Sequence, residues 1–291
     1  GGRTARWLAC FLALDPFCGG LSGLLHTDAL QATFVLLAVL LVVPRRRLPS
    51  NHYARRGSPD PRFSHIAGDL TIPSKRKGIV PGDFVNLTLA ALCLALAGMT
   101  KTLGLLVAPG VAVAVLLLPR EPWMQRVARV AALTVLTTAL YLLLYPPFWA
   151  DPRAAVRALI AAATYHEGIG LRNVFFAGQL TADPGPLFYP AVLLFRLTPP
   201  VLIGLVLAVY DGIKKRRAAF SCWWFLLPTF VYLAAITLAT KKFDRYALSA
   251  MVLLSAVAAL AWTRRCMRWK WLLLASLLLP WALIAPLPLY Y

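Results

Sequence analysis

The chain has 291 residues, of which 60% are hydrophobic and only 14% are charged, and its mean hydropathy is +0.70. A soluble domain of this length does not need so much apolar surface, so the composition indicates a membrane protein with several spans. A net charge of +19 would suggest nucleic-acid binding in a soluble protein. Here the positive residues lie in short links between apolar runs, which is typical of loops facing anionic lipid and argues against nucleic acid as a partner.

Nine apolar runs follow one another, at residues 7–14, 29–43, 84–99, 103–118, 127–145, 187–210, 220–240, 247–262 and 271–285. We therefore predict an all-α fold, a polytopic transmembrane helical bundle with about 8–9 spans, since a span needs about 20 apolar residues. Arg196 and Pro199-Pro200 interrupt the sixth run, which predicts a broken helix there.

Two polar regions divide the runs. Residues 44–83 contain nine Lys or Arg together with prolines and glycines, which predicts a basic cytoplasmic loop. Residues 151–186 begin with a helix-forming stretch that carries Arg153 and Arg157 on one face, which predicts a helix lying in the extracytoplasmic membrane interface. We assign residues 1–291 to one transmembrane domain and expect it to be incomplete at both ends, because it lacks a starting Met and stops without a tail.

The distribution of charge predicts the orientation. If the first residues face the cytoplasm and each run crosses once, the inside segments hold 22 of the 30 Lys and Arg residues, as the positive-inside rule requires. The remaining eight lie outside: Lys101, Arg153, Arg157, Arg172, Arg196, Lys241, Lys242 and Arg245. The unusual polar groups then share the extracytoplasmic side, as a single site requires.

Three polar residues lie at the ends of apolar runs on that side. Asp28 either caps the following helix or acts as a catalytic or substrate-binding acid, and His26 beside it is either an interfacial contact or a base. Lys101, in the tight link between two runs, either snorkels to the interface or pairs with a phosphate.

The 151–186 region contains further polar candidates with two open interpretations. His166, Glu167, Gln179 and Asp183 are either solvated loop residues or contacts to a donor or acceptor substrate. Their spacing alone does not decide between these interpretations. No spacing typical of metal ligands occurs in the chain, so no residue is assigned to a metal.

Six residues, Lys241-Lys-Phe-Asp-Arg-Tyr246, place four charges in a short gap between two apolar runs. Lys or Arg deep in a membrane costs about 2.5–3.5 kcal/mol per residue, so such a cluster is either anchored at headgroup level or binds an anion. Arg245 would grip a phosphate with two parallel N–H bonds, and Lys241 and Lys242 would add point charges. We expect Asp244 to orient Arg245 and Tyr246 to donate a hydrogen bond.

Several of these strings resemble a known family, the bacterial protein O-mannosyltransferase and aminoarabinose-transferase superfamily (glycosyltransferase family 39-like). The similarity runs from Leu14 to Tyr291, and its motifs occur in the same order. They are Leu14-Asp-Pro-Phe17, Leu25-His-Thr-Asp-Ala-Leu30, Gly98-Met-Thr-Lys101, Asp183-Pro-Gly-Pro-Leu-Phe-Tyr-Pro190 and Lys241-Lys-Phe-Asp-Arg-Tyr246.

The resemblance implies a GT-C fold in the bacterial plasma membrane, with the active site on the extracytoplasmic side. It implies inverting transfer of a mannose-like hexose or a pentose from a polyprenyl-phosphate donor to a hydroxyl of a protein or glycolipid acceptor. In the family the main acidic residues lie in the first extracytoplasmic loop, which we expect upstream of Gly1, so Asp28 would be an auxiliary acid or substrate contact. The resemblance gives no certain cofactor and leaves a divalent cation open.

Our leading hypothesis is therefore a membrane glycosyltransferase. Lys101, Lys241, Lys242 and Arg245 would stabilise the departing lipid phosphate, and residues 187–200 would shape a groove for the lipid tail. The alternative is a multi-span transporter or lipid flippase for an anionic substrate, although no convincing internal repeat is present. A non-catalytic scaffold would leave the 241–246 cluster unexplained.

Overall fold

The computed structural model describes residues 2–15, 26–43, 81–117, 122–164, 174–214, 216–239 and 242–264, together with Cys18, Ser276 and Leu278. Within these ranges the fold is mostly helical, in agreement with the predicted helical bundle. Four stretches of helix are long and apolar enough to cross a membrane: Asp83–Thr100, Trp123–Leu144, Ser221–Leu238 and Asp244–Thr263. These helices fit a multi-pass membrane protein.

Eleven α-helices lie in the described ranges, together with two 3₁₀ turns at Thr102–Leu106 and Asp244–Ala247. The α-helices are α1 (Gly2–Ala13), α2 (Thr27–Val42), α3 (Pro81–Thr100), α4 (Val107–Leu117), α5 (Trp123–Leu144), α6 (Pro146–Ala150), α7 (Pro152–Thr164), α8 (Phe188–Arg196), α9 (Pro199–Lys214), α10 (Arg216–Leu238) and α11 (Leu248–Thr263). The α2 helix and the 3₁₀ turn with α4 are shorter apolar elements of 10–17 residues.

Helix α11 is the centre of the bundle. Of its span, 78% is buried, compared with 17% of the α5 span, because α11 is apolar on every face and α1, α2, α9 and α10 surround it. Helix α5 instead exposes large apolar side chains such as Val135 and Leu143, as expected for a helix whose outer face contacts lipid.

Two glycines allow close helix packing. A Cβ atom on Gly204 of α9 would lie 2.6 Å from the Cβ atom of Ala258 on α11. A Cβ atom on Gly110 of α4 would lie 2.5 Å from the Cα atom of Pro228 on α10. Small residues at such crossings let backbones approach where lipid tails provide no hydrophobic drive for association.

The predicted break near residue 196 is present. Helices α8 and α9 meet at an angle of 114°, with only Leu197 and Thr198 between them. Proline cannot donate a backbone hydrogen bond and clashes with the preceding turn, so Pro199 and Pro200 begin a new helix rather than continue α8.

One described element departs from the all-α prediction. Strands β1 (Val174–Phe176) and β2 (Gln179–Thr181) form an antiparallel hairpin. The connecting residues Ala177 and Gly178 have φ angles of 52° and 84°, as a two-residue turn of the primed type requires. Val174, Phe175, Phe176 and Thr181 are residue types enriched in strands, although Ala-Gly is not one of the usual two-residue hairpin signals.

Some predicted regions lie within the described residues and others do not. The helix expected at residue 152 is α7, and α3 begins at Pro81, inside the region predicted as the basic loop. Most of that loop and most of the final apolar run at 271–285 lie outside the described residues, as do the candidates His166, Glu167 and Lys241.

Candidate functional site

The candidate site lies where three helix ends meet. Asp28 is in the first turn of α2, Lys101 follows the last residue of α3, and Arg245 is in the 3₁₀ turn that leads into α11. The Nζ atom of Lys101 lies 2.5 Å from Oδ1 of Asp28, and the Nε atom of Arg245 lies 3.6 Å from Oδ2 of Asp28. Because α2 and α3 pack together, residues 73 positions apart in sequence come into contact.

The carboxylate at the centre is buried, while its cations reach the surface. Asp28 is 3% exposed, whereas the side chains of Lys101 and Arg245 are 22% and 41% exposed. A buried charge needs a partner of opposite sign, and Asp28 has two. Within the described residues, Oδ2 of Asp28 and Nε of Arg245 make no hydrogen bond, since 3.6 Å exceeds hydrogen-bond length. Charge attraction alone therefore holds this contact.

His26 caps α2, a role that one interpretation of the sequence gave to Asp28. Its Nδ1 atom accepts a hydrogen bond from the backbone N–H of Asp28 at 3.2 Å and lies 3.0 Å from Oδ2 of the same residue. Both contacts cannot be hydrogen bonds at once, because the first needs an unprotonated nitrogen and the second a protonated one. The cap requires that the Nδ1 atom carries no proton.

Aromatic rings support the two cations. The Nζ atom of Lys101 lies 4.1 Å from the ring centre of Tyr246, and the guanidinium carbon of Arg245 lies 4.8 Å from that of Phe243. The two rings meet edge to face with centres 5.3 Å apart. Each contact of this kind contributes about 0.5–1 kcal/mol at exposed sites. The ring face of Tyr246 thus contacts Lys101. The sequence had indicated a role only for its hydroxyl, as a hydrogen-bond donor.

Buried polar residues beneath the site join α2 to α11 and join α10 to the 3₁₀ turn before α11. The Nε2 atom of Gln31 on α2 donates to Oγ of Ser249 on α11 at 3.2 Å. The hydroxyl of Tyr232 on α10 donates to the backbone oxygen of Tyr246 at 2.8 Å. Sequence reasoning missed these residues, although Gln31 lies three residues after Asp28, and therefore on the same helix face.

Two further ion pairs flank the Asp28 site, and Asp244 contacts Arg245 through the backbone rather than through the guanidinium. Lys242, 4% exposed, contacts Oδ1 of Asp183 at 2.5 Å. Arg196 contacts Oδ2 of Asp244 at 2.6 Å, so Asp244 pairs with Arg196 and not with the Arg245 side chain. Its other oxygen accepts the backbone N–H of Arg245 at 2.8 Å, whereas Asp28 pairs with the guanidinium.

The Lys242–Asp183 pair affects the carboxyl group on the loop side. The hydrogen bond from Lys242, together with that from the backbone N–H of Gly185, holds the pKa of Asp183 below its ordinary value of 3.8. The Asp183 side chain is 62% exposed, so an exposed carboxylate pairs here with a buried ammonium group.

An apolar groove lies beside these ion pairs. It has a volume of about 590 Å³ and runs between the hairpin and α8, where Phe176, Phe188, Val192 and Phe195 line it. The Arg196–Asp244 pair borders the same groove. Gln179 lies on the exposed part of β2, and the described contacts do not connect it with Asp28. In the described ranges, no group of three or more His, Cys, Asp or Glu is arranged to hold a metal ion.

Comparisons of the chain with protein-family models, curated proteins and solved structures give no match. The family resemblance of the motifs therefore remains a hypothesis.

Proposed function

We propose that this protein is a membrane glycosyltransferase that moves a sugar from a polyprenyl-phosphate donor to an acceptor hydroxyl on the extracytoplasmic side. The observation that carries the proposal is the contact of Lys101 and Arg245 with the buried carboxylate of Asp28. Two cations lie beside one carboxylate there, and the half-exposed side chain of Arg245 is placed to attract a phosphate.

Arg245 is the residue best suited to receive that phosphate. Its side chain is 41% exposed, and its Nε contact with Asp28 is longer than a hydrogen bond. A small rotation toward an anion therefore breaks no hydrogen bond between these two side chains. Lys101 supplies the second charge, and Asp28 holds Lys101 in place. In this proposal Asp28 positions the two cations and also contacts the donor or acceptor.

The transfer follows from the placement of charge. The acceptor oxygen forms a bond to the anomeric carbon as the bond from that carbon to the phosphate oxygen breaks, and the electron pair leaves with the phosphate. A carboxylate takes the acceptor proton. Lys101 and Arg245 stabilise the charge that develops on the leaving phosphate, which is where preorganised cations accelerate a reaction most.

The groove beside the site is suited to the lipid part of the donor. Its lining is mostly apolar, and the Arg196–Asp244 pair borders it. An isoprenoid chain in this groove would have its phosphate near the cations of the 242–246 segment. Lys242 joins them when Asp183 releases it, because a phosphate and the Asp183 carboxylate compete for the same ammonium group.

The wider proposal includes the membrane arrangement. It places about 8–9 spans in the bacterial plasma membrane, each requiring about 20 apolar residues. Helix α7 would lie in the outer interface and the 44–83 loop in the cytoplasm. The acceptor is a protein or glycolipid hydroxyl.

Sugar transfer from a radiolabelled polyprenyl-phosphate sugar, measured with the full chain in vesicles, tests this function. Arg245→Ala should lower turnover by about 100-fold or more, the size of effect expected when one stabilising group is removed from a transition state. Lys214→Ala is the matched control, because this exposed lysine lies at the end of α9 and is not part of the site. Unchanged turnover in Arg245→Ala would remove the phosphate role.

The α8–α9 break favours a second candidate, a transporter or flippase for an anionic lipid, because broken helices often form transport sites. Vesicles distinguish the two. A transporter moves a labelled lipid phosphate across the bilayer without cleaving it, whereas the proposed enzyme releases free polyprenyl phosphate in proportion to the sugar transferred.

A further inference from the structure

The β1–β2 hairpin has an apolar face with no partner in the described part of the chain. Phe175 and Leu180 are directly opposed in the strand register, so their side chains lie on the same face, and they are 70% and 68% exposed. The other face is fixed to the protein, since the ring of Phe176 lies 5.5 Å from that of Phe188 in an edge-to-face contact. The hairpin therefore cannot turn Phe175 and Leu180 inward without losing that contact.

The same region exposes more apolar surface. Leu187, Leu194 and Phe195 are 70%, 59% and 84% exposed, and Phe195 lines the groove together with Phe175. Helix α8 and the following α9 together pass the length and apolarity requirements for a membrane span. The hairpin face thus continues the apolar surface of a helix pair of transmembrane composition.

The depth of the hairpin follows from its backbone. A two-stranded sheet leaves outward N–H and C=O groups on both edges, and hydrocarbon cannot satisfy them. The hairpin is therefore excluded from the bilayer core. Water is also an unfavourable environment for two large apolar side chains, because removing apolar surface from water is stabilising.

We propose that Phe175 and Leu180 insert into the lipid leaflet on the side of Asp28, so that the hairpin is a membrane-contact element. Its strands lie at headgroup level, and its two apolar side chains reach the acyl-chain boundary. The nearby Arg196–Asp244 pair, with both side chains about two-fifths exposed, suits the same headgroup level. This inference does not depend on glycosyl transfer.

Spin labels measure the insertion directly in the full chain reconstituted in phosphatidylcholine vesicles. Leu180→Cys places the label on the outward face, and Gln179→Cys places it on the neighbouring residue of β2, which points to the other face. The five native cysteines are replaced by Ala. We expect the label at 180 to collide more with oxygen than with a water-soluble nickel chelate, at a depth of about 5–10 Å, and the label at 179 to show the reverse.

Two results would overturn the proposal. Equal nickel access at both positions would place the face in water, and a label at 180 that neither oxygen nor nickel reaches would mean that protein covers it.

A second measurement keeps the test valid if the cysteine-free chain misfolds. In the native background, a bulky membrane-impermeant maleimide should add to Gln179→Cys in vesicles. It should add to Leu180→Cys only after detergent is supplied. Equal addition to both variants before detergent would contradict the insertion.

Discussion

At the scale of single residues, the cations of the site are distinguished by their partners. Lys101 and Arg245 share one buried carboxylate, whereas Lys242 and Arg196 each have their own. An anion thus meets two cations beside one buried carboxylate at Asp28, whereas at Lys242 it must displace a carboxylate. The sequence singled out Lys101, Lys242 and Arg245 as candidates, but it could not predict their carboxylate partners. The Lys242–Asp183 pair, for example, joins residues 59 positions apart.

The loop of residues 182–187 between β2 and α8, called the Asp183 loop, should respond to pH through the ion pair of Asp183 with Lys242. A carboxyl group with a lowered pKa in the folded protein contributes stability above its ordinary pKa, and this contribution is lost as the pH falls through the folded value. Because the pKa of Asp183 lies below 3.8, the loop should stay closed at neutral pH and loosen only below about pH 3.8. Asp183→Asn should loosen it at every pH.

The measurement is the mobility of a spin label at Ala182→Cys across the pH range in the cysteine-free background. Asp151→Asn is the control. Within the described residues, this exposed carboxylate accepts a hydrogen bond only from the backbone N–H of Ala154. A label equally immobile in Asp183→Asn at pH 7 would show that the ion pair does not hold the loop.

At the scale of elements, the helices follow from the sequence more directly than their junctions do. Apolar runs and proline positions predicted the helical regions and the α8–α9 break, because these depend on local chemistry. The hairpin was missed, since two three-residue strands give too short a pattern to stand out from an apolar chain. The support by Gln31, Ser249 and Tyr232 also depends on contacts between helices, which no local pattern reports.

The close crossing of α4 and α10 gives a test at this scale. Gly110→Ala places a methyl group 2.5 Å from the Cα atom of Pro228, so the helices must separate. Overpacking of this kind costs about 1–3 kcal/mol, and we expect a lower Tm in detergent. Gly2→Ala is the control because its methyl group would meet no atom within 4 Å. A Tm as high in Gly110→Ala as in the control would mean that the crossing is looser than described.

At the scale of the whole molecule, the sequence predicts that most of the positive charge lies on one side of the membrane. The positive-inside count predicted that Asp28, Lys101, Asp183 and Arg245 share one side. The described helices are compatible with this, since the start of α2, the end of α3 and the start of α11 meet at Asp28. A common side for these four residues could be predicted from the distribution of charge along the chain. The convergence of three helix ends on one carboxylate could be seen only in the fold.

Binding of a polyprenyl monophosphate without sugar tests the central claim most directly, because it isolates phosphate recognition from catalysis. Native mass spectrometry of the full chain would compare wild type with the Lys101→Ala, Arg245→Ala double variant and with Lys214→Ala. Each charge-assisted hydrogen bond to phosphate contributes about 1.5–3 kcal/mol, so the double variant should bind at least about 100-fold more weakly. Lys214→Ala should bind as wild type does. Equal affinity in all three proteins would contradict the assignment of Lys101 and Arg245 as the phosphate site.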